Sequence, residues 1–113
     1  MKPAVCDISM IRGDHAHYLV SYKKDGAFVP FMPGDTVYFT VKENANKEEK
    51  VFQKVITNFV DGKAHIVIEP TDTKLLKPRA FVYDIQLVDV RSIVTTIVHP
   101  TSKFIIEGEV TYE

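Results

Sequence analysis

Hydrophobic and polar residues alternate with a period of two along most of this chain. The pattern is densest from Phe81 to Thr111, which reads FVYDIQLVDVRSIVTTIVHPTSKFIIEGEVT. Phe81, Tyr83, Ile85 and Leu87 alternate there with Val82, Asp84, Gln86 and Val88. A strand sends successive side chains to opposite faces, so the first set makes an almost wholly apolar face. The second set carries Asp84 and Gln86 towards water or a partner. Two more such runs follow, Ile93–Val98 and Phe104–Val110, each after a short polar break. The pattern predicts a three-strand antiparallel meander as the spine of an all-β domain.

Upstream, a first strand is expected over Ala4–Ile11, with Cys6, Ile8 and Met10 on one face and Cys6 serving as a small buried apolar residue. A second run, Ala16–Tyr22, sets Tyr18, Val20 and Tyr22 against His17, Leu19 and Ser21. Asp25-Gly26 is hairpin chemistry, because both residues tolerate positive φ. Phe28–Met32 contains Pro30 and suits an edge or a crossing segment. Thr36–Lys42 places Val37, Phe39 and Val41 inward. Glu43–Lys50 (ENANKEEK) reads as an exposed loop between strong strands. Lys50–Phe59 is a strand with two equally mixed faces. After Asp61-Gly62, Ala64, Ile66 and Ile68 form an inward row. Pro70–Leu76 breaks the pattern, and Thr71 or Asp72 is suited to cap one helical turn.

Seven to eight short strands, with turn signals every ten or so residues and no sustained helical period, point to a β-sandwich or small barrel. The expected fold is an immunoglobulin-like antiparallel β-sandwich with little helix, in one domain spanning 1–113. It lacks the Cys…Trp…Cys core of antibody domains, since the chain has one Cys and no Trp. Lys plus Arg number 14 against 15 for Asp plus Glu, so no basic excess points to nucleic acid. No run approaches the roughly 20 apolar residues of a membrane helix. Asp7 and Arg12 interrupt the N-terminal apolar residues too early for a secretory signal, so the chain is expected to be made and folded in the cytoplasm.

Candidate chemistry is sparse. His15 and His17 share a strand face roughly 7 Å apart, but no third ligand has motif spacing; His65, His99 and Asp14 are merely available. The expectation is therefore no metal and no cofactor. Arg12-Gly13-Asp14 spells an adhesion tripeptide and is equally good turn chemistry. Cys6 and the four histidines lack the surroundings of a nucleophile with its base. Asp84, Glu107 and Glu109 pair only arbitrarily as glycosidase carboxylates. No enzyme is expected. Most aromatic residues fall on inward rows, leaving Tyr18, Tyr22, Tyr38 and Tyr112 as exposed-side candidates.

Gly34-Asp35-Thr36-Val37-Tyr38-Phe39-Thr40, Asp61-Gly62, Pro70-Thr71-Asp72-Thr73, Tyr83-Asp84-Ile85-Gln86-Leu87, Thr96 and Val110-Thr111 together resemble a broad group of phage and prophage structural proteins. These are small immunoglobulin-like domains, similar to the N-terminal domain of baseplate upper proteins and to head, neck or tail accessory proteins. The chain departs from them at Arg79-Ala80 and Arg91-Ser92, where the group usually carries glycine. The resemblance implies a non-enzymatic virion component, made in the bacterial host cytoplasm, that self-assembles and attaches to other virion proteins. The alternative is a stand-alone carbohydrate- or cell-surface-binding module.

The interface candidates are Asp84, Gln86, Ile105, Glu107, Gly108 and Glu109. The reasoning is that a final strand, Lys103–Thr111, lies at a sheet edge, where unpaired backbone groups template another chain. Glu107 and Glu109 would limit indiscriminate pairing there, and Gly108 would permit close backbone approach.

Overall fold

A computed structural model describes residues 5–108. In chain order the elements are β1 (Ile8–Ile11), β2 (Ala16–Val20), β3 (Tyr22–Lys24), β4 (Ala27–Val29), β5 (Thr36–Lys42), β6 (Phe52–Ile56), β7 (Ala64–Ile68), α1 (Pro70–Thr73), β8 (Arg79–Val88) and β9 (Val94–Glu107). One sheet has five strands in the order β1-β9-β8-β5-β6; β2 pairs with β7, and β3 with β4. The fold is all-β and sandwich-like.

The alternating rows build the interior. Val37, Phe39 and Val41 of β5, Phe81, Tyr83 and Ile85 of β8, and Phe104 and Ile106 of β9 are buried on one face of the large sheet. Ala64, Ile66 and Ile68 of β7 close over them in the same apolar cluster. The centre is aromatic: the Phe39 ring lies 5.2 Å from Tyr83 and meets Phe104 edge-on at 5.9 Å. Burying each large apolar side chain contributes about 1.5–3 kcal/mol. Leu87, at the rim of its row, is only half-buried.

The expected meander is corrected. Ile93–Val98 and the described part of Phe104–Val110 are not two strands; Val94–Glu107 runs as one, antiparallel to β8, and residues 109 and 110 lie outside the described residues. An irregularity in the pairing absorbs His99-Pro100, which looks like a break in the sequence. Between Tyr83↔Ser102 and Ile85↔Val98, the single residue Asp84 stands opposite three residues, 99–101. Proline donates no ladder hydrogen bond, so Pro100 belongs where pairing lapses.

The first strand is also corrected. It begins at Ile8 and pairs in parallel with β9, Ile8 opposite Phe104 and Met10 opposite Ile106, so the sandwich is not wholly antiparallel. Cys6 lies before the strand and is exposed, not buried. The run Ala16–Tyr22 divides at Ser21, but the alternation continues across it: Ala16, Tyr18 and Val20 pack against the core and Tyr22 is buried, while His17, Leu19 and Ser21 are exposed. In β6 the ambiguity resolves: Phe52 and Ile56 pack against the core, while Val55 is 53% exposed.

Turn chemistry follows the sequence closely. Asp25 and Gly26 have φ of 53° and 79°, and join β3 to β4 with Lys24 opposite Ala27. At Gly62, with φ of 72°, a Cβ would come within 2.5 Å of Pro30 Cβ, so no larger residue fits. The β8–β9 turn does without the expected glycine. Ser92 takes the positive φ, 65°, and the Asp89 carboxylate accepts the N–H groups of Arg91 and Ile93 at 2.9 and 3.0 Å. Those bonds, Ile93's first, hold the Asp89 carboxyl below its ordinary pKa.

The helical turn is capped by neither Thr71 nor Asp72. Glu69 is the N-cap, and Asp72 closes a capping box by accepting the Glu69 N–H at 2.8 Å. Asp72 also pairs with Lys54 of β6 at 2.7 Å, binding α1 to the large sheet.

Candidate functional site

The inward rows of the large sheet leave its other face to solvent. In register across that face, Gln53 stands opposite Thr40, Thr40 opposite Asp84, Tyr38 opposite Gln86, and Gln86 opposite Thr96. Side chains link along it: Gln53 Nε2 donates to Thr40 Oγ1 at 2.8 Å, and Gln86 Nε2 to Thr96 Oγ1 at 3.4 Å. Two shallow hollows of about 220 and 380 Å³ share Thr40, Lys42 and Asp84, and the loop after β5 borders them through Ala45 and Lys50.

Asp84 is the electrostatic centre of this face. Burial beside the lapse in β9 pairing raises its carboxyl above the ordinary aspartate range, and the Lys42 ammonium pulls the other way. An acid half-removed from water on an otherwise solvated sheet face is suited to meet a donor from another molecule.

Ile105 and Glu107 also lie on this face, since they alternate with buried Phe104 and Ile106. Asp84, Gln86, Ile105 and Glu107 therefore share this face, though not by the route expected and spread along it: Ile105 stands opposite Ala80 near the start of β8, and Gln86 opposite Thr96 near its end. Phe104–Ile106 is no edge: it is paired by β8 on one side and β1 on the other, and Glu107 pairs with Ile11 of β1. Lys103 N–H is taken by Asp7 Oδ1 at 2.8 Å, extending that cover. A Cβ on Gly108 would meet only Pro78 Cγ at 3.5 Å, an ordinary contact, so no close approach calls for glycine there. Glu109 lies outside the described residues. The outer strands of this sheet are β1 and β6.

Between the two layers, on the side where β2 faces β9, lies a largely apolar groove of about 330 Å³ lined by Tyr18, Val20, Ile66, Tyr83, Ile85 and Ile97 among others. Cys6 sits at its mouth. Its carbonyl accepts the Tyr83 hydroxyl hydrogen, and its N–H donates to Ser102 Oγ at 3.0 Å. Burial first, then the hydrogen bond and charges around Cys6, push the Tyr83 phenol far above its usual pKa.

The remaining candidates disperse. His17 meets His65 of β7 instead of His15, with Nε2 and Nδ1 2.9 Å apart and the rings stacked at 5.0 Å. His99 bonds Thr101 Oγ1 at 2.9 Å. No cluster of three or more His, Cys, Asp or Glu able to hold a metal occurs among the described residues. Arg12-Gly13-Asp14 forms the corner after β1, where Arg12 Nη1 donates to the Leu76 carbonyl at 3.1 Å and Gly13 N–H to Thr73 Oγ1 at 2.9 Å. Of the tyrosines, Tyr22 is buried and Tyr18 packs against the core. Tyr112 lies outside the described residues, which leaves Tyr38 on the outward face.

The pairing of β2 with β7 joins residues far apart in sequence, and no local signal announces the His17–His65 contact. Compared with known proteins, the chain matches no family model and no curated protein.

Proposed function

We propose that this chain is a non-enzymatic structural component of a phage or prophage virion, in its tail, baseplate or neck. It acts by self-assembly and by attachment to other virion proteins. The observation that best supports this reading is that Asp84, Gln86, Ile105 and Glu107 lie along one outward face of the five-stranded sheet. Such a face offers a broad, nearly flat surface in place of a deep substrate cleft. Five strands about 4.8 Å apart and some seven residues long present roughly 600 Å². A stable contact needs about 800 Å² per partner, so the bordering loop, residues 43–50, completes the patch.

An immunoglobulin-like topology goes with this reading. Variable-type immunoglobulin sheets run G-F-C-C′ with B beside E on the other layer. The neighbours β9-β8-β5-β6, with β2 beside β7, follow the same scheme. A carbohydrate-binding module would need an aromatic platform, and of the expected tyrosines among the described residues only Tyr38 lies on the outward face.

Light scattering on the purified chain tests the proposal, with Gln86→Arg/Ile105→Glu as the comparison. The wild type is expected to associate and the variant to stay monomeric with an unchanged melting curve. A wild type that is monomeric at high concentration overturns the self-assembly reading. That result would favour a hetero-partner or a binding module.

A further inference from the structure

The outward face of the small β2–β7 sheet carries a second arrangement, independent of the reading above. His17 pairs across from Val67, and Leu19 from His65, so the two imidazoles are diagonal neighbours on one side of the ribbon. Their nitrogens, His17 Nε2 and His65 Nδ1, lie 2.9 Å apart. Two nitrogens at that separation, each about 2.0–2.1 Å from a common ion, subtend roughly 90° at it. That is the cis angle of tetragonal Cu²⁺ or Ni²⁺, and it is narrower than a tetrahedral ion prefers.

We propose that His17 and His65 form a two-imidazole clamp for a tetragonal divalent transition-metal ion, Cu²⁺ above all, with water completing the coordination. The ion sits beside the line joining the two nitrogens, each ring turning its lone pair towards it, and the hydrogen now shared between them is displaced. That proton moves to the far nitrogen of its own ring, Nδ1 of His17 or Nε2 of His65, and both imidazoles stay neutral. Strand pairing has already set the ring positions, so little ordering accompanies binding. Both side chains hydrogen-bond in exposed surroundings, and the ion needs no route through the core. Hard ions such as Mg²⁺ and Ca²⁺, which take oxygen ligands, are excluded by the donor set. The fold forms without the metal, so chelators leave the melting temperature of the metal-free chain unchanged, while bound Cu²⁺ raises it.

The test is a Cu²⁺ titration of the full chain carrying Cys6→Ser, which removes the exposed thiol as a competing ligand. Calorimetry gives affinity, and electron paramagnetic resonance counts coordinated nitrogens. One equivalent with two imidazole nitrogens is expected. His17→Gln or His65→Gln should each weaken binding by at least about tenfold, the lower end of what even an outer-shell loss costs a metal site. His15→Gln and His99→Gln should leave it unchanged. Circular dichroism verifies folding, and if one clamp variant fails to fold, the other decides. A single-nitrogen spectrum, equal loss in His15→Gln, or undiminished affinity in a folded clamp variant each overturns the clamp.

Discussion

The Thr73 hydroxyl accepts the Gly13 N–H at 2.9 Å, and this bond ties the only helical turn among the described residues to the corner between β1 and β2. Thr73 is fully buried and Gly13 half-buried, so loss of the hydroxyl leaves the amide with no partner on its protein side. Thr73→Val, nearly isosteric, should destabilise the fold by about 1–3 kcal/mol, whereas Thr73→Ser retains the bond. Urea denaturation measures both. A valine variant as stable as wild type would remove the bond from any structural account.

Truncation of the central row grades with burial. Ile85→Ala, at a site 4% exposed, should cost about 2–5 kcal/mol. Leu87→Ala, at the half-buried rim, should cost less, and Val55→Ala on the outward face should change stability by no more than about 0.5 kcal/mol. Thermal melts of the three variants check the order. Equal losses would mean that the two faces of the large sheet are misassigned.

Asp84 makes the fold sensitive to mild acid in an unusual direction. Its folded carboxyl holds a proton more tightly than the unfolded one, because burial disfavours the anion. Between the ordinary aspartate range and the raised folded value, the native state binds more protons, so this group's contribution to stability falls as pH rises. Asp84→Asn should therefore stabilise the protein at neutral pH and flatten that slope. Stability measured from pH 3 to 7 decides the matter, and an unchanged slope refutes the assignment.

Tyr83 gives the corresponding effect at the alkaline end. The unfolded phenol ionises near its ordinary value while the folded one stays protonated, so stability falls as pH rises beyond that point. Tyr83→Phe should cost about 0.5–1.5 kcal/mol at neutral pH through the lost bond to the Cys6 carbonyl. The same variant should lack the alkaline decline. Denaturation midpoints at neutral and alkaline pH distinguish these two effects.

Period-two alternation was enough to place Phe39, Ile66, Tyr83 and Ile85 in the interior, because each sits mid-strand with its whole row apolar. Where the alternation is reset, local reading fails. Pro100 mimics a strand end within β9, where the pairing with β8 shifts register between Tyr83 and Ile85. Partner choice was the least legible property. Nothing near Ile8 signals a parallel partner at Phe104, and nothing near His17 signals His65. The face carrying Asp84 and Gln86 was legible from alternation alone. That Ile105 and Glu107 join it follows from the β8–β9 pairing, and not from an edge.

The parallel union of β1 with β9 has a kinetic consequence. Ile8 meets Phe104 across 96 positions, so the loop that this pair closes spans most of the chain. Contacts of such separation contribute only after a large loop-closure entropy has been met, and folds dominated by them are slow to form. While the chain is being synthesised, β1 must wait for β9 to emerge before its partner in the sheet exists. Until then β1 itself has no cover, and any exposed strand competing for it finds its chance in that interval.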